Sequence, residues 1–435
     1  MTTPTLTTSL RARRHSLLVR IHLWSALIAT PLVVIAALTG LLYLFTPQIE
    51  AVLYDHLDHV AVGGVPLALD RQVAAAVAAA PPGATLQAVA PAFADGDTTA
   101  VSFAPAADGH AGHAATPPKA GALVVYVDPA NARVTGQLAR HERFGNWSKN
   151  LHSRLLQTNG WRWIIELAAS VLLVMLLTGV LLWWPQPGKT GMPQKSATGR
   201  TAWKQWHGFI GAALMLLTLM IVVTGLTWSE HAGGQIRALR DLSGQGPTPP
   251  PRHLQSGMTP TAAPLTWQAA ADLARARAPE VAIELRPPVN KQGVWRANAT
   301  TRGAPLRQFD LRLDAFSGAT LYYAGWDQQT LFGKATAIGI PFHRGEFGWW
   351  NQALLLLFDL GVLFSVASGW VIFFGRWRAG AALMPRWLPG TLTSVPLAGW
   401  IALLALCALM PLLAITVVLV ALLELGGAGI RRGVQ

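Results

Sequence analysis

Four histidines stand at the edges of long apolar runs, and each is followed by a hydroxyl–glycine pair. His22 precedes Thr39-Gly40 and His207 precedes Thr224-Gly225, each glycine 18 residues after its histidine. His152 lies 27 residues before Gly179 in Thr178-Gly179, and His343 lies 26 before Gly369 in Ser368-Gly369. At about 100° per residue, 18 positions close five helical turns, so His22 and Gly40 share one face, as do His207 and Gly225, roughly 27 Å apart. The two looser spacings do not keep a face, and Gly179 and Gly369 read as packing residues. An imidazole in a bilayer is costly without a partner and is functional by default. A single one could as readily be interfacial, but chance placement at an interface does not repeat a spacing. Two histidines on different helices at one depth have the arrangement of axial ligation to a b-type haem, one on each face of the iron.

The elements that must position them are membrane spans. Only 13% of the 435 residues are charged and 52% are hydrophobic, too apolar for an ordinary soluble chain. Several of the 18 tryptophans close apolar runs, as interfacial rings do. A net charge of +13 is concentrated: residues 1–20, 185–206 and 375–397 hold eleven Lys and Arg and no acid. That is positive-inside placement, not a nucleic-acid-binding face, and no nucleic acid is expected as a partner. Cys407 is the only cysteine, which excludes intramolecular disulfides, thiolate zinc sites and cysteine-bound iron–sulfur clusters.

In order, the chain reads as a cytoplasmic tail (1–16), a first span (17–46), an outer region (47–146) and a second span with a periplasmic extension (147–184). A basic cytoplasmic loop (185–206, with Pro185, Pro187, Gly188, Lys189, Lys195, Arg200 and Lys204) leads to the third span (207–229). A second outer region (230–342), a fourth span with its extension (343–375), a cytoplasmic loop (376–396), a fifth span (397–425) and a tail (426–435) follow. The last run carries Pro411 inside it. One crossing puts Arg431 and Arg432 outside, against the charge rule, whereas a hairpin keeps them inside; the length favours one crossing. The two outer regions echo each other. Pro66-Leu67-Ala68-Leu69-Asp70 and Pro264-Leu265-Thr266-Trp267-Gln268 each open an Ala-rich helix, and strands end at Asp128 and at Asp314. With this topology His22 and His207 share the cytoplasmic level, and His152 and His343 the periplasmic one. Gly40 and Gly225 fall on their histidines' faces, where a missing side chain would let a flat macrocycle approach; plain helix packing explains them equally well.

Cations near the histidines, Arg20 and Lys204 inside and Arg154 and Arg344 outside, are candidates for haem propionates, against positive-inside anchoring and snorkelling. His231 is a reserve outer ligand. His56 and His59 flank Asp58 with metal-like spacing but read as a solvated helix face. His15, His110, His113, His141 and His253 read as surface residues. No Gly-x-Gly-x-x-Gly, Walker loop, Gly-x-Ser-x-Gly or His-Glu-x-x-His is present, so electrons would come from a membrane quinol or another donor.

The pattern resembles the bacterial PepSY-associated transmembrane family, linked with iron uptake. The matching residues are Arg20-Ile21-His22 with Leu38-Thr39-Gly40, Asn150-Leu151-His152 with Leu177-Thr178-Gly179 and Trp183-Trp184-Pro185, Trp206-His207-Gly208, and Pro341-Phe342-His343-Arg344-Gly345-Glu346-Phe347-Gly348. The chain departs from the family in residues 105–120, an irregular His/Ala/Gly/Pro insert, and at Asp128-Pro129-Ala130-Asn131, where the usual glycine after the Asp turn is absent. The resemblance implies a mainly α, polytopic membrane protein: a duplicated four-helix haem-binding bundle plus a fifth C-terminal span, with two small α+β periplasmic PepSY-like modules. It implies residence in the bacterial inner membrane with a cytoplasmic N-terminus. It further implies two haems b held by His22, His207, His152 and His343, in an enzyme like the FoxB-type siderophore reductases. Such an enzyme passes electrons across the membrane to a periplasmic ferric siderophore or other ferric chelate, and so promotes iron release. Two other classes compete: an iron or siderophore permease or accessory protein without redox activity, and a PepSY-based periplasmic sensor. A transporter should show broken helices and midplane acids, and Glu166 and Asp359 are the acids near spans two and four. A sensor should carry a cytoplasmic output domain, for which no cytoplasmic segment is long enough.

Overall fold

The computed structural model describes residues 4–105, 122–184, 191–247, 249–251, 253–257, 263–380, 382, 384–385 and 387–433, with side chains between residues 10 and 426. His110, His113 and nearly all of the 105–120 insert lie outside the described residues, as do Pro185, Pro187, Gly188 and Lys189 of the basic loop.

Helix α1 (Pro4–Leu44) is apolar over Leu10–Leu44, long enough to cross a membrane, and stays continuous through Pro31. After α2 (Thr46–Leu53) and α3 (Asp55–Asp58) come α4 (Leu69–Ala79) and strands β1 (Thr85–Ala90), β2 (Thr99–Ala104), β3 (Leu123–Val127) and β4 (Val134–Ala139). Helix α5 (Phe144–Arg154) carries His152, and α6 (Trp163–Trp183) is the second long apolar helix. The third span is α7 (Gly199–Ala213) and α8 (Met215–Leu226), bent by 57°. Then come α9 (His231–Leu242), α10 (Trp267–Arg277), β5 (Ile283–Arg286), β6 (Val294–Ala299), β7 (Asp310–Asp314) and β8 (Thr320–Ala324). Helix α11 (Leu331–His343) ends on His343, and α12 (Trp349–Arg378) is the next long apolar helix. The chain closes with α13 (Leu397–Leu409) and α14 (Pro411–Gly433). Three helices are thus long and apolar enough to cross a membrane, and a fourth span exists if the bent pair counts as one.

The chain divides into two units. One comprises residues up to Leu44, Asn150–Gly244 and the chain from His343 on; the other comprises Phe45–Lys149 and Gln245–Phe342. In the helical unit α1 lies along α6 and α12, α7 along α12, and α8 along α6. On either side of the bend Leu214 N–H reaches Ile210 O at 3.0 Å and Thr218 N–H reaches Leu214 O at 2.8 Å. Gly361 of α12 makes room for it: a Cβ there would lie 2.0 Å from Leu214 Cδ1.

The final apolar run corrects the expectation of one crossing over 397–425. Pro411 has no N–H to give, and the residue before a proline is driven out of the helical region. Met410 accordingly sits at φ −124°, ψ 85°. The two helices double back there. Met410 and Leu413 pack with Leu226 and Ala232 at one end of the bundle. At the other end Arg14 Nε donates to Ser394 O (2.8 Å), just before α13, and Arg20 pairs with Glu424 of α14. The run is a hairpin, the arrangement that the positive-inside rule favours for Arg431 and Arg432, whose side chains lie outside the described residues.

In the second unit the two echoing halves form one antiparallel sheet of order β4-β3-β2-β1-β5-β6-β7-β8, joined where β1 pairs β5 at Val89 and Leu285. Separate modules were expected; a shared edge removes two exposed strand edges at once. Alternation sorts the faces: Leu311 and Leu313 of β7 point into the core with α4 and α10, while Asp310 and Arg312 point away. Each such fully buried Leu contributes about 1.5–3 kcal/mol over an exposed one. The helices cap each other reciprocally. The Asp70 carboxylate accepts from Trp267 N–H (2.9 Å) and Gln268 N–H (3.1 Å), and Gln268 Oε1 accepts from Leu69 N–H (2.9 Å).

The two Asp turns are also equivalent. Asp314 accepts from Phe316 and Ser317 N–H, and Gly318 follows at φ +72°. Asp128 accepts from Ala130 N–H, and Ala132 takes the same left-handed place at φ 58°. A non-glycine residue there costs about 1–2 kcal/mol. Ala132→Gly is therefore expected to raise the thermal midpoint of the protein, whereas Gly318→Ala lowers it, since its Cβ would meet Leu273 at 2.6 Å. For the hairpin, reporters fused to the two termini should score on the same side of the membrane; opposite sides would restore the single crossing.

Candidate functional site

Each of the four predicted histidines is seated on the hydroxyl–glycine pair of a different helix. His22 Nδ1 lies 3.1 Å from Thr178 Oγ1, and His152 Nδ1 lies 3.0 Å from Thr39 Oγ1. In the second half His343 Nδ1 lies 3.0 Å from Thr224 Oγ1, and His207 Nδ1 lies 3.0 Å from Ser368 Oγ. The glycines form the floors of these seats. A Cβ would meet the Cε1 of His22 at 3.2 Å from Gly179, of His152 at 3.5 Å from Gly40, of His343 at 3.2 Å from Gly225 and of His207 at 3.5 Å from Gly369. Gly40 and Gly225 therefore receive the imidazole of a neighbouring helix, where the sequence placed a macrocycle or plain packing. Gly179 and Gly369, read as packing residues, are their equals. The spacing test missed them because it counted through a break: α5 and α6 are separate helices, as are α11 and α12.

The hydrogen-bond directions fix the tautomers. Thr39, Thr178 and Thr224 each give their single hydroxyl proton to the carbonyl four residues back (Ile35, Val174 and Met220, all 2.7 Å), and Ser368 gives its proton to Ser365 O at 3.1 Å. Towards the ring each hydroxyl can then only accept, so Nδ1 carries the proton. For His207 a backbone carbonyl, Ser365 O at 3.1 Å, imposes the same direction. Every Nε2 is left with a free lone pair, the form in which histidine ligates a metal.

One pair of rings also meets across the two halves. The His22 and His207 centroids are 6.3 Å apart with planes at 84°. A metal–imidazole bond is about 2.0–2.1 Å and the centroid lies about 1.1 Å beyond the nitrogen, so two rings flanking one metal ion are roughly 6.3 Å apart. Within the described residues no group of three or more His, Cys, Asp and Glu is placed to hold a metal.

The turns after the outer histidines differ. Gly345 (φ +72°) turns the chain after His343, and a Cβ there would lie 2.5 Å from Leu44 Cδ1. After His152 the turn is made by Leu155 (φ 53°) and Leu156 (φ 61°), a strained choice for side chains of that size. Two family motifs meet in one contact: Trp183 packs on Gly208, where a Cβ would stand 2.6 Å from the indole.

The predicted accessory residues divide. Arg154 and Arg344 each keep a buried Nε without a hydrogen-bond partner, beside His152 and His343, although the rest of each guanidinium reaches Asn159 and Glu346. Lys204 is exposed, with no partner among the described residues. Arg20 also keeps a buried Nε without a hydrogen-bond partner, while its other nitrogens are engaged on three sides. It pairs with Glu424, donates to Pro385 O and stacks on Trp387, while Glu424 also accepts from Trp24 Nε1 at 2.7 Å. A carboxylate 404 residues distant in sequence gave no local sign of this partnership. His231 is likewise engaged. Its N–H (3.0 Å) and those of Glu230 (3.1 Å) and Ala232 (2.7 Å) converge on the buried Glu166 carboxylate at the start of α9, and its ring lies 3.3 Å from it. An acid there satisfies orphan N–H groups and the helix dipole, so Glu166 caps α9 and His231 is one of the residues it caps. His59 pairs with Asp55 (3.0 Å), and Asp58 is held by Arg143. Asp359, 8% exposed, lies near the Gly40 seat, its Oδ2 3.9 Å from a Cβ built there.

This architecture defines a polytopic membrane protein made of two repeated halves, each seating two histidines on the hydroxyl–glycine pairs of its own helices. The chain belongs to the PepSY-associated TM region family, whose model matches residues 19–376. Compared with curated proteins it has no match.

Filling a seat should displace its ring. Gly225→Val is expected to destabilise the protein by about 1–3 kcal/mol, and Thr224→Val by about 1 kcal/mol through the lost hydrogen bond. Gly211→Ala, which meets nothing within 4 Å, serves as the neutral control. Thermal melts that rank Gly211→Ala with Gly225→Val would contradict the seating.

Proposed function

We propose that this protein is a transmembrane oxidoreductase of the bacterial inner membrane. Two haems b, held by His22 with His207 and by His152 with His343, would carry electrons to a ferric siderophore or related ferric chelate on the periplasmic side. The observation that carries the reading is the 6.3 Å separation of two rings whose Nδ1 protons are committed to acceptors, leaving a lone pair on each. Two imidazoles are too few for a bare ion but sufficient for a macrocycle that brings four nitrogens of its own. The buried, partnerless Nε atoms of Arg154 and Arg344 suit its carboxylates at the outer level.

A haem held by these histidines would supply a one-electron couple suited to electron transfer rather than oxygen binding. The protein's own part is to hold four neutral imidazoles rigidly at two depths. The seats on α1 fix the separation: from His22 to Thr39 is 17 residues, roughly 26 Å of helix, close to the ~30 Å hydrocarbon thickness. High-spin ferric iron prefers hard oxygen ligands, and its reduction loosens them. The electron donor on the inner side would be a membrane quinol or a protein.

One observation favours the permease reading: the third span is bent at Leu214, and Gly361 beneath the bend is two residues from the buried Asp359. That reading gives the facing rings of His22 and His207 no role, whereas electron transfer uses them. The decisive experiment is the visible spectrum of detergent-purified protein, oxidised and dithionite-reduced, with pyridine-haemochrome quantitation. Two low-spin haems b per chain are expected, with one lost in His207→Ala and the other in His343→Ala. A colourless protein from haem-replete cells, still colourless after reconstitution, would overturn the proposal.

A further inference from the structure

The strand register of the second half sets three arginines side by side. Arg286 of β5 is opposite Arg296 of β6, Arg296 is opposite Arg312 of β7, and Arg312 is opposite Tyr322 of β8. All four lie on the sheet face turned away from the α4 and α10 core. Like charges directly opposite destabilise a sheet. The row beside them offsets only part of this. Glu284, two residues before Arg286, takes Arg286 at 2.9 Å, and Asp310, two before Arg312, takes Arg312 at 2.8 Å. The corresponding neighbour of Arg296 is Asn298, a neutral amide opposite both Glu284 and Asp310. Arg296 is exposed and has no hydrogen-bond or ion-pair partner among the described residues. Arg312 registers the crowding: burial first, then the charges of Arg296 and Arg286, pull its guanidinium below the ordinary arginine range against the opposing pull of Asp310 and Tyr322.

A second observation falls on the same residue. Arg296 lines a crevice of about 230 Å³ together with His253, Gln255, Asn290 and Gln292. The volume is below the ~300–1,000 Å³ of drug-sized sites, and the lining is rich in hydrogen-bond donors.

We infer that this face binds a small polycarboxylate anion, with Arg296 as its principal contact and Arg286 and Arg312 flanking. Neighbouring strands are about 4.8 Å apart, so the arginine row spans roughly 10 Å. A planar guanidinium takes a carboxylate through two parallel N–H bonds, and two or three carboxylates on one small molecule can engage more than one arginine of the row in this way. Carboxylates are hard oxygen ligands of ferric iron, so the site could hold a ferric polycarboxylate as the chelate to be reduced; that last step alone rests on the proposed electron transfer.

The test is calorimetric titration of the full-length detergent-purified protein with citrate and, separately, with inorganic phosphate. Citrate should bind at one site, and Arg296→Gln should weaken it about tenfold or more. Arg307→Gln, whose arginine pairs with Glu280 at 2.8 Å outside the row, should leave it unchanged. Equal affinity in Arg296→Gln with an unaltered thermal melt, or no citrate binding by the wild type, overturns the site. Phosphate binding as tight as citrate overturns the polycarboxylate assignment. No electron donor is needed for the measurement, so it stands even if the haem spectrum fails.

Discussion

An imidazole inside an apolar bundle must place its N–H on an acceptor, and this structure is arranged around meeting that demand four times. In each case the acceptor is a hydroxyl whose own proton is spent on its helix backbone, next to a glycine that gives the ring its floor. Neither residue suffices alone. Without the hydroxyl the N–H is buried unsatisfied, and without the glycine the helices cannot come close enough for the bond to form. The demand therefore sets which helices are neighbours, and in particular draws α1 against α6 and α7 against α12.

The halves meet shared geometry with different chemistry. The outer turn that follows each histidine uses Gly345 in the second half and two left-handed leucines, Leu155 and Leu156, in the first. The sheet turn uses Gly318 in the second half and Ala132 in the first. Strain is thus concentrated in the first half. The second half has its own irregularity, the Leu214 bend, where α1 at the matching depth runs straight through a proline. The arginine row is likewise confined to the second half; in the first, Leu57 of α3 packs on Val124 and Tyr126 of the same sheet face.

Much of this was legible in the residues. The histidines, the spans that carry them and the two helix-on-sheet regions follow from hydropathy, charge placement and repetition, properties local to a segment. Spacing along one helix reveals a shared face but not the helix opposite, so the partners of Gly40 and Gly225 could not be read. The 27- and 26-residue intervals crossed unseen helix breaks, which hid the seats at Thr178 and Ser368. Arg20 looked free because Glu424 lies at the far end of the chain. Pro411 could be read as a tolerated interruption, as Pro31 is, because only packing decides whether the residue before a proline continues the helix or turns it back. The joining of the two outer regions into one sheet rests on a single strand pair and leaves no mark in either strand's pattern.

Every ring-to-hydroxyl contact lies within one half: His22 and His152 with α6 and α1, His207 and His343 with α12 and α8. The facing of ring on ring, by contrast, joins the halves. A chain cut between α6 and α7 would keep each imidazole oriented within its own fragment while separating His22 from His207. Orientation is thus a property of a half-length chain and the facing of rings a property of two. A single ancestral half, associating with a copy of itself about a twofold axis, would already have brought its imidazoles face to face, and duplication with fusion would have freed each copy to diverge around them.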